Sequence, residues 1–409
     1  MTRILAWQIV INKGLAGSRP RGVNTEGLRK RPVEALDKAR SLAPVLRERA
    51  FATEQARRVS DETMRELKEA GLFRILQPAR FGGYELDPQV FLEAGMIIAA
   101  ACGSTGWVYS VVGVHNWQLG LMSEQAQVDV WGEDQDTLIC SSYTPRGHVE
   151  IVDGGYRLSG RWSFSSGCEH AQWAILGGVA TEADGGVRRL CFLVPRTDYT
   201  IDDVWRVVGL RGTGSNDVVI EDAFVPEHRT HDYRSGSVTS DSPIYRLPFG
   251  PIFTFGIAAP LLGAAQGALD DHVAWTAERV RITKGTRVAE EPFSQARVAE
   301  AAGELDGARL QIWRDLDDML ALARDEKDIP VEVRARARLD QVRATQLAIS
   351  AVDRVFQNSG GRVLHELNPI QRAWRDVHAG AQHNSNVPEP MLMAYGAMSF
   401  GLSIEGSGI

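Results

Sequence analysis

The sequence predicts a mostly α-helical α+β protein in three parts: a helical domain, a compact β-domain and a bundle of long helices. Three observations carry this. Apolar residues recur at helical spacing from 33 to 131, the period switches to two from 137 to about 226, and helical spacing returns in long pieces beyond 248, giving domains over 33–136, 137–247 and 248–409. Nothing repeats at a fixed period of 20–50 residues, which sets aside a solenoid.

Residues 1–32 read as a disordered tail. Arg3 is followed by an apolar run over 4–11, but Gln8 interrupts it and Asn12-Lys13 closes it, too short for a secretory leader. Residues 12–32, rich in Gly, Arg, Lys and Pro, have little to bury. Beyond them Ser60 or Asp61 caps a helix with Met64, Leu67 and Ala70 on one face, and Gly71 suits its exit. A loop over 72–83 carries the breakers Pro78 and Gly82-Gly83, and helices resume over 88–101 and 105–121. Strands follow at 138–142, 156–164, 173–179 and 190–194, with Asp-Gly-Gly turns at 153–155 and 184–186. A linker, 227–247, leads to the C-terminal part. There Val298, Leu305, Ala308, Ile312, Leu316 and Met319, and then Leu339, Val342, Ile349, Val352 and Phe356, keep helical spacing. Helices of roughly 25–30 residues joined by short loops make an antiparallel four-helix bundle.

Composition narrows the function. With 409 residues, 44% hydrophobic and 24% charged, the chain is an ordinary globular sequence of two or three domains. A net charge of -7 provides no footprint for nucleic acid. Cys102, Cys140, Cys168 and Cys191 lie far apart, so neither a metal site nor a disulfide framework is expected, and a reducing cytoplasm fits. No apolar run reaches the roughly 18 residues of a membrane span.

Two stretches carry the chemistry. Residues 160–170, Gly-Arg-Trp-Ser-Phe-Ser-Ser-Gly-Cys-Glu-His, close a strand in small polar residues. Alone this is either a β-turn or a polar edge for a flat heterocycle, with Trp162 and Phe164 as apolar cover. Residues 205–226 read Trp-Arg-Val-Val-Gly-Leu-Arg-Gly-Thr-Gly-Ser-Asn-Asp-Val-Val-Ile-Glu-Asp-Ala-Phe-Val-Pro. Together they resemble the β-domain of the acyl-CoA dehydrogenase fold. More narrowly, the chain resembles the oxygenase components of two-component flavin-dependent aromatic hydroxylases, the class D monooxygenases. Within that family the likeness is to the secosteroid-phenol (3-HSA) and p-hydroxyphenylacetate hydroxylase group, from about residue 33 to the C-terminus.

The resemblance implies a site. Ser166 would bond the flavin ring near N5, with Trp107 beside the cofactor. Gly360 and Gly361 would bring backbone close to the flavin phosphates of a neighbouring subunit in a homotetramer. Trp275 and Arg279 match an aromatic-x-x-x-Arg pattern that serves the same end, although Arg279 on its own reads equally as a surface ion pair. His383 would stabilise the flavin C4a-hydroperoxide, and His115 with Ser141 would meet the phenolic oxygen. On the residues alone His115 is either a core histidine or a site residue. It lies eight positions after Trp107, on the same helix face. A phenol near pKa 10 is mostly protonated at neutral pH, and histidine titrates in the range needed to take that proton. Trp107, Phe249, Phe253 and Phe255 are expected to wall an apolar pocket.

Two departures sharpen the reading. There is no G-x-G-x-x-G between a strand and a helix, and 209–214 has the wrong spacing, so reduced FMN (or FAD) must come from a separate NAD(P)H-dependent flavin reductase. Where dehydrogenases of this fold commonly carry a catalytic glutamate, this chain has His383-Asn384-Ser385, and no carboxylate stands ready to abstract a proton α to a thioester. The expected reaction is hydroxylation of a phenolic, secosteroid or polycyclic aromatic substrate ortho to its hydroxyl, with O2. An acyl-CoA dehydrogenase and a non-catalytic flavin-fold binding protein are the competing readings.

Overall fold

A computed structural model describes residues 25–182, 184–232, 240–280, 285–404, 406, 407 and 409. The N-terminal part holds α1 (Thr25–Ala56), α2 (Asp61–Glu69), α3 (Pro88–Ala101), α4 (Gly103–Leu119) and α5 (Glu124–Trp131). Helix α1 begins at Thr25, so the tail expected through residue 32 is too long by eight residues; 1–24 lie outside the described residues. Of the two caps offered for α2, Ser60 is used, its side chain accepting from Thr63 N at 3.2 Å. Gly71 beyond its end has φ 72°, and a Cβ there would lie 2.2 Å from Tyr84 Oη, so both conformation and space require glycine.

Strands β1 (Ile139–Val152), β2 (Gly155–Ser165), β3 (Trp173–Thr181), β4 (Val187–Pro195), β5 (Thr200–Asp202), β6 (Asn216–Pro226) and β7 (Thr230–His231) form one seven-stranded sheet in the order β5-β6-β2-β1-β3-β4-β7. The first half of β1 runs parallel to β3 (Ser141 beside Ile175) and its second half antiparallel to β2 (Val149 beside Leu158). The register shifts between Ser142 and Gly147, where the strand crosses from one half of the sheet to the other. Trp162 fills that crossing, wholly buried, its Nε1 donating to Gly177 O at 2.8 Å. A Cβ on Gly147 would lie 2.3 Å from the Trp162 ring, which is why the bend is made at a glycine. The expected linker 227–247 contains β7 and a short turn of 3-10 helix, Pro243–Arg246; 233–239 lie outside the described residues.

The C-terminal part is α6 (Phe249–Ala277), α7 (Pro292–Arg324), α8 (Val331–Ser359), α9 (Pro369–Gly380) and α10 (Pro388–Ser399). Ion pairs fix the antiparallel sense of α7 and α8: Arg354 meets Glu300 and Glu304, whereas Arg336 meets Asp315 and Asp318. Three helices of 29, 33 and 29 residues and the 12-residue α9 make the four-helix bundle, so the fourth member is shorter than the spacing implied. Helix α6 is apolar and long enough to cross a membrane by composition, yet 94% of its most apolar window is buried inside the fold. It packs against α3, α4, α8 and α9, so it is a core helix. This packing leaves α4 between α6 and the start of β1, and the site lies along that seam.

Candidate active site

Strand β2 ends irregularly. Its register with β6 shifts between Trp162 and Ser165, Phe164 has φ 66° and Gly167 φ 69°. Positive φ is costly for a bulky residue, and such strain collects at binding sites. Phe164 is 70% exposed, its ring edge-on to Trp205 at 6.0 Å. The same bend turns Ser166 toward α4, where Trp107 Nε1 donates to Ser166 Oγ at 3.1 Å.

The proton of Ser166 is committed elsewhere. Thr213 Oγ1 donates to Leu210 O at 2.9 Å, and a carbonyl can only accept. The Thr213–Ser215 contact, 2.6 Å, therefore uses the Ser215 proton, and the Ser166–Ser215 contact, 2.7 Å, uses that of Ser166. Ser166 accepts from Trp107, gives its proton to Ser215 and is left with a lone pair. The 210–215 loop behind it is pinned from two sides: Gly212 N donates to Ser104 Oγ at 3.1 Å and Leu210 N to Asp376 Oδ1 at 2.6 Å. Burial pushes the Asp376 carboxyl up to about 6.

His383 opens a short 3-10 turn, Asn384–Asn386, after α9, and is half-buried. Its Nδ1 accepts from Ser385 N at 3.1 Å, so the neutral ring carries its proton on Nε2. The ring lies 6.0 Å from Trp107 and 6.2 Å from Phe253, centroid to centroid. Burial, reinforced by the Arg338 guanidinium, holds its pKa down at about 4. Arg338 is itself buried, bonded to Gln341 Oε1 and, at 3.4 Å, to Ser385 O, and burial lowers it to about 10. The turn contains no carboxylate, and Asn386 is used structurally, tied to Gly380 O, Gln341 and Thr345.

His115 is buried on α4, in the same seam. Its Nδ1 is 3.2 Å from Tyr143 Oη, and Tyr143 Oη also donates to Gln118 Oε1. The imidazole stacks on Phe253, at 6.4 Å and 21°. Phe253 stacks in turn on Phe249, and Tyr143 stands edge-on to both. Burial drives the His115 pKa down to about 3, so it does not titrate near neutrality as an unperturbed histidine would. Ser141 lies two positions before Tyr143 on β1, hence on the same face, half-buried, and its hydroxyl has no hydrogen-bond partner among the described residues. Phe255, expected in the pocket wall, is turned about 200° round α6 from Phe253 and is fully buried in the core.

Trp107, His115, Ser166, His383, Phe249 and Phe253 are thus brought together. Arg279, Gly360 and Gly361 are not part of that group. Arg279 Nη1 donates to Ser359 O at 2.9 Å, its guanidinium lies 4.7 Å over the Trp275 ring, and Gly360, φ 71°, sits against it. A Cβ on Gly361 would meet nothing within 4 Å. At 1.5 Å per residue, Ala277, which ends α6 just before Arg279, is roughly 36 Å along the helix from Phe253. Sequence reasoning missed Tyr143, Gln118, Thr213 and Ser215. Period two from Ser141 reaches Tyr143, a helical step of three from His115 reaches Gln118, and Thr213 and Ser215 lie within the 205–226 motif.

The site fits a reduced flavin. Its middle ring offers an N–H at one edge, and Ser166 offers a lone pair with no proton to compete; Trp107 and His383 supply ring cover and an N–H donor. Fold and site together define a flavin enzyme on the acyl-CoA dehydrogenase scaffold. Residues 36–132 match the acyl-CoA dehydrogenase N-terminal domain and 255–388 the C-terminal domain. The oxygenase subunit HsaA of a flavin-dependent monooxygenase from Rhodococcus jostii (strain RHA1) is 49% identical, over 89% of this chain and 97% of that protein. The oxygenase component of the FADH2-dependent resorcinol hydroxylase of a Rhizobium species is 36% identical, over 91% of this chain and 96% of that protein. The crystal structure of 3-HSA hydroxylase from Rhodococcus sp. RHA1 superimposes with a TM-score of 0.89 at 48% identity, covering 92% of this chain and 99% of that one. The chain belongs to the oxygenase subunits of flavin-dependent monooxygenases. It is an aromatic hydroxylase component that uses reduced flavin made by a separate reductase.

Proposed function

We propose that the substrate is a phenol carrying a large apolar ring system, a secosteroid phenol in particular, hydroxylated ortho to its hydroxyl. One observation carries this: the Phe253 ring packs against both His115 and His383, at 6.4 and 6.2 Å, so the two histidines share one aromatic wall. Phe249, Phe253 and Tyr143 offer the flat apolar cover a fused-ring phenol needs. The secosteroid class is supported by the likeness to 3-HSA hydroxylase.

When bound, reduced flavin would supply the two electrons that activate O2, one oxygen atom going to the ring and the other to water. This chain's residues hold the partners in place. Ser166 would accept an N–H from the flavin, with Trp107 fixing Ser166 from the other side. His383 would offer Nε2–H to the activated oxygen. Ser141 and His115 Nε2 would receive the phenolic hydroxyl. A histidine with a pKa near 3 cannot hold a proton from a free phenol. The proton therefore leaves as the new C–O bond forms, when the ring becomes electron-poor and its hydroxyl strongly acidic, and His115 takes it at that moment.

The phosphate end of the flavin falls to Arg279, Gly360 and Gly361 of a neighbouring copy in a homotetramer. The distance along α6 supports this, as do the exposed Phe293, Leu310, Met393 and Phe400 on and beside α7 and α10. Four buried free cysteines support a reducing compartment, the cytoplasm. The test is an assay of phenol hydroxylation with and without an NAD(P)H-dependent flavin reductase. Hydroxylated product should require the reductase; steady NADH oxidation by the isolated chain, or absence of product from any phenol, would contradict the proposal.

A further inference from the structure

The pocket's polar corner contains more than the histidine. Tyr143 Oη meets His115 Nδ1 at 3.2 Å and Gln118 Oε1. The tyrosine has one proton, and it goes to the amide oxygen, which can only accept. Tyr143 Oη then faces His115 Nδ1 with a lone pair, and the contact is attractive only if Nδ1 carries the imidazole proton. Gln118 is three residues after His115 on α4, and Tyr143 comes from β1, so the relay ties the N-terminal helices to the β-domain.

We infer that Tyr143 and Gln118 are positioning residues that set the His115 tautomer: Nδ1 protonated, Nε2 bare and turned to the substrate. A neutral imidazole has one donor and one acceptor, so fixing the first fixes the second. The opposite tautomer would present the phenol with an N–H and leave the site without a base. Burial supports the scheme, because it keeps the ring neutral and a single tautomer meaningful. At His383 the Ser385 N–H fixes the reverse tautomer. One pocket thus holds an accepting and a donating histidine, each set by a neighbour that contacts only its Nδ1.

The inference rests on the phenol reading for its purpose but not for its test. Neutron diffraction from the deuterated protein should show deuterium on His115 Nδ1, none on Nε2, and the Tyr143 deuteron directed at Gln118. Deuterium on Nε2 would overturn it. In the Tyr143→Phe variant Nδ1 loses its acceptor, so Nε2 should become at least partly deuterated. Coupled hydroxylation should fall on the order of 10²-fold, with H2O2 released instead and affinity for reduced flavin unchanged. Gln118→Glu, which keeps an acceptor, should retain more coupling than Gln118→Leu. An unchanged tautomer and unchanged coupling in Tyr143→Phe would remove Tyr143 from the role. If His115→Ala stays fully coupled, the phenol reading fails, and the neutron map still decides the tautomer.

Discussion

The two histidines of the pocket are held in opposite ways. His115 is sealed inside α4, its polar partners reaching it from a helix and a strand, and its ring is stacked on Phe253. His383 sits half-buried on a short turn beyond α9, held by one backbone N–H and shadowed by the buried Arg338. The first is fixed by domain packing, the second by a local turn tied down through Asn386. Under the proposed roles, a group held by packing suits a fixed substrate oxygen, and an N–H set by one backbone contact suits a developing charge.

This contrast is broken most sharply by removing His115. His115→Ala should lower hydroxylated product by roughly 10²–10⁴-fold while reduced flavin is still consumed, its electrons appearing as H2O2. A product yield that falls only in proportion to folded protein would make His115 a core residue. The next effect is smaller. Ser215→Ala frees the Ser166 proton, so Ser166 could donate as well as accept. The ratio of affinities for reduced over oxidised flavin should fall about 5-fold, the worth of roughly one hydrogen bond. Equilibrium binding of both redox forms measures it, and an unchanged ratio would refute the relay direction.

The smallest effect is on stability against pH. His115 and His383 have folded pKa values near 3 and 4, as His170 and His231 do near 4, all below the ordinary value of about 6.5. The unfolded chain then binds more protons over that window, so this contribution is fully present above about pH 6.5 and is lost as pH falls toward 4. Asp376 and Asp315, each raised to about 6, have the opposite sign, their contribution being lost as pH rises from about 4 to 6, and burial raises Glu93, Asp270, Asp271 and Asp317 in the same direction. Removing His115 isolates its share: the Tm of the native protein should gain on that of His115→Gln from pH 4.5 to 7. A Tm difference independent of pH over this range would contradict the buried, neutral state of His115.

Much of this was legible in the sequence because it is local. The period change at 137, the Asp-Gly-Gly turns and the glycine exit at Gly71 each follow from a few adjacent residues. The start of α1 was hidden because Gly27 and Pro32 give residues 12–32 the composition of a tail. Ser166, Trp107 and His383 were reached by resemblance, and their convergence needed the fold. The positions of Tyr143, Ser215 and Thr213 were within reach of the patterns, but their roles were not. Each acts through a side-chain contact set by packing, Tyr143 on His115 across 28 residues and Ser215 on Ser166 across 49. The acid shift of His115 was equally invisible, since burial is a property of its neighbours.

The central claim is that His115 serves the substrate and His383 serves the oxygen. The most direct measurement is H2O2 release from reduced flavin and O2, with and without phenol, in His115→Ala and His383→Ala. The account expects His383→Ala to release H2O2 faster than the native protein whether or not phenol is present. His115→Ala should match the native protein without phenol and diverge only when phenol is added. If the two variants behave alike under both conditions, the division of labour between the histidines is wrong.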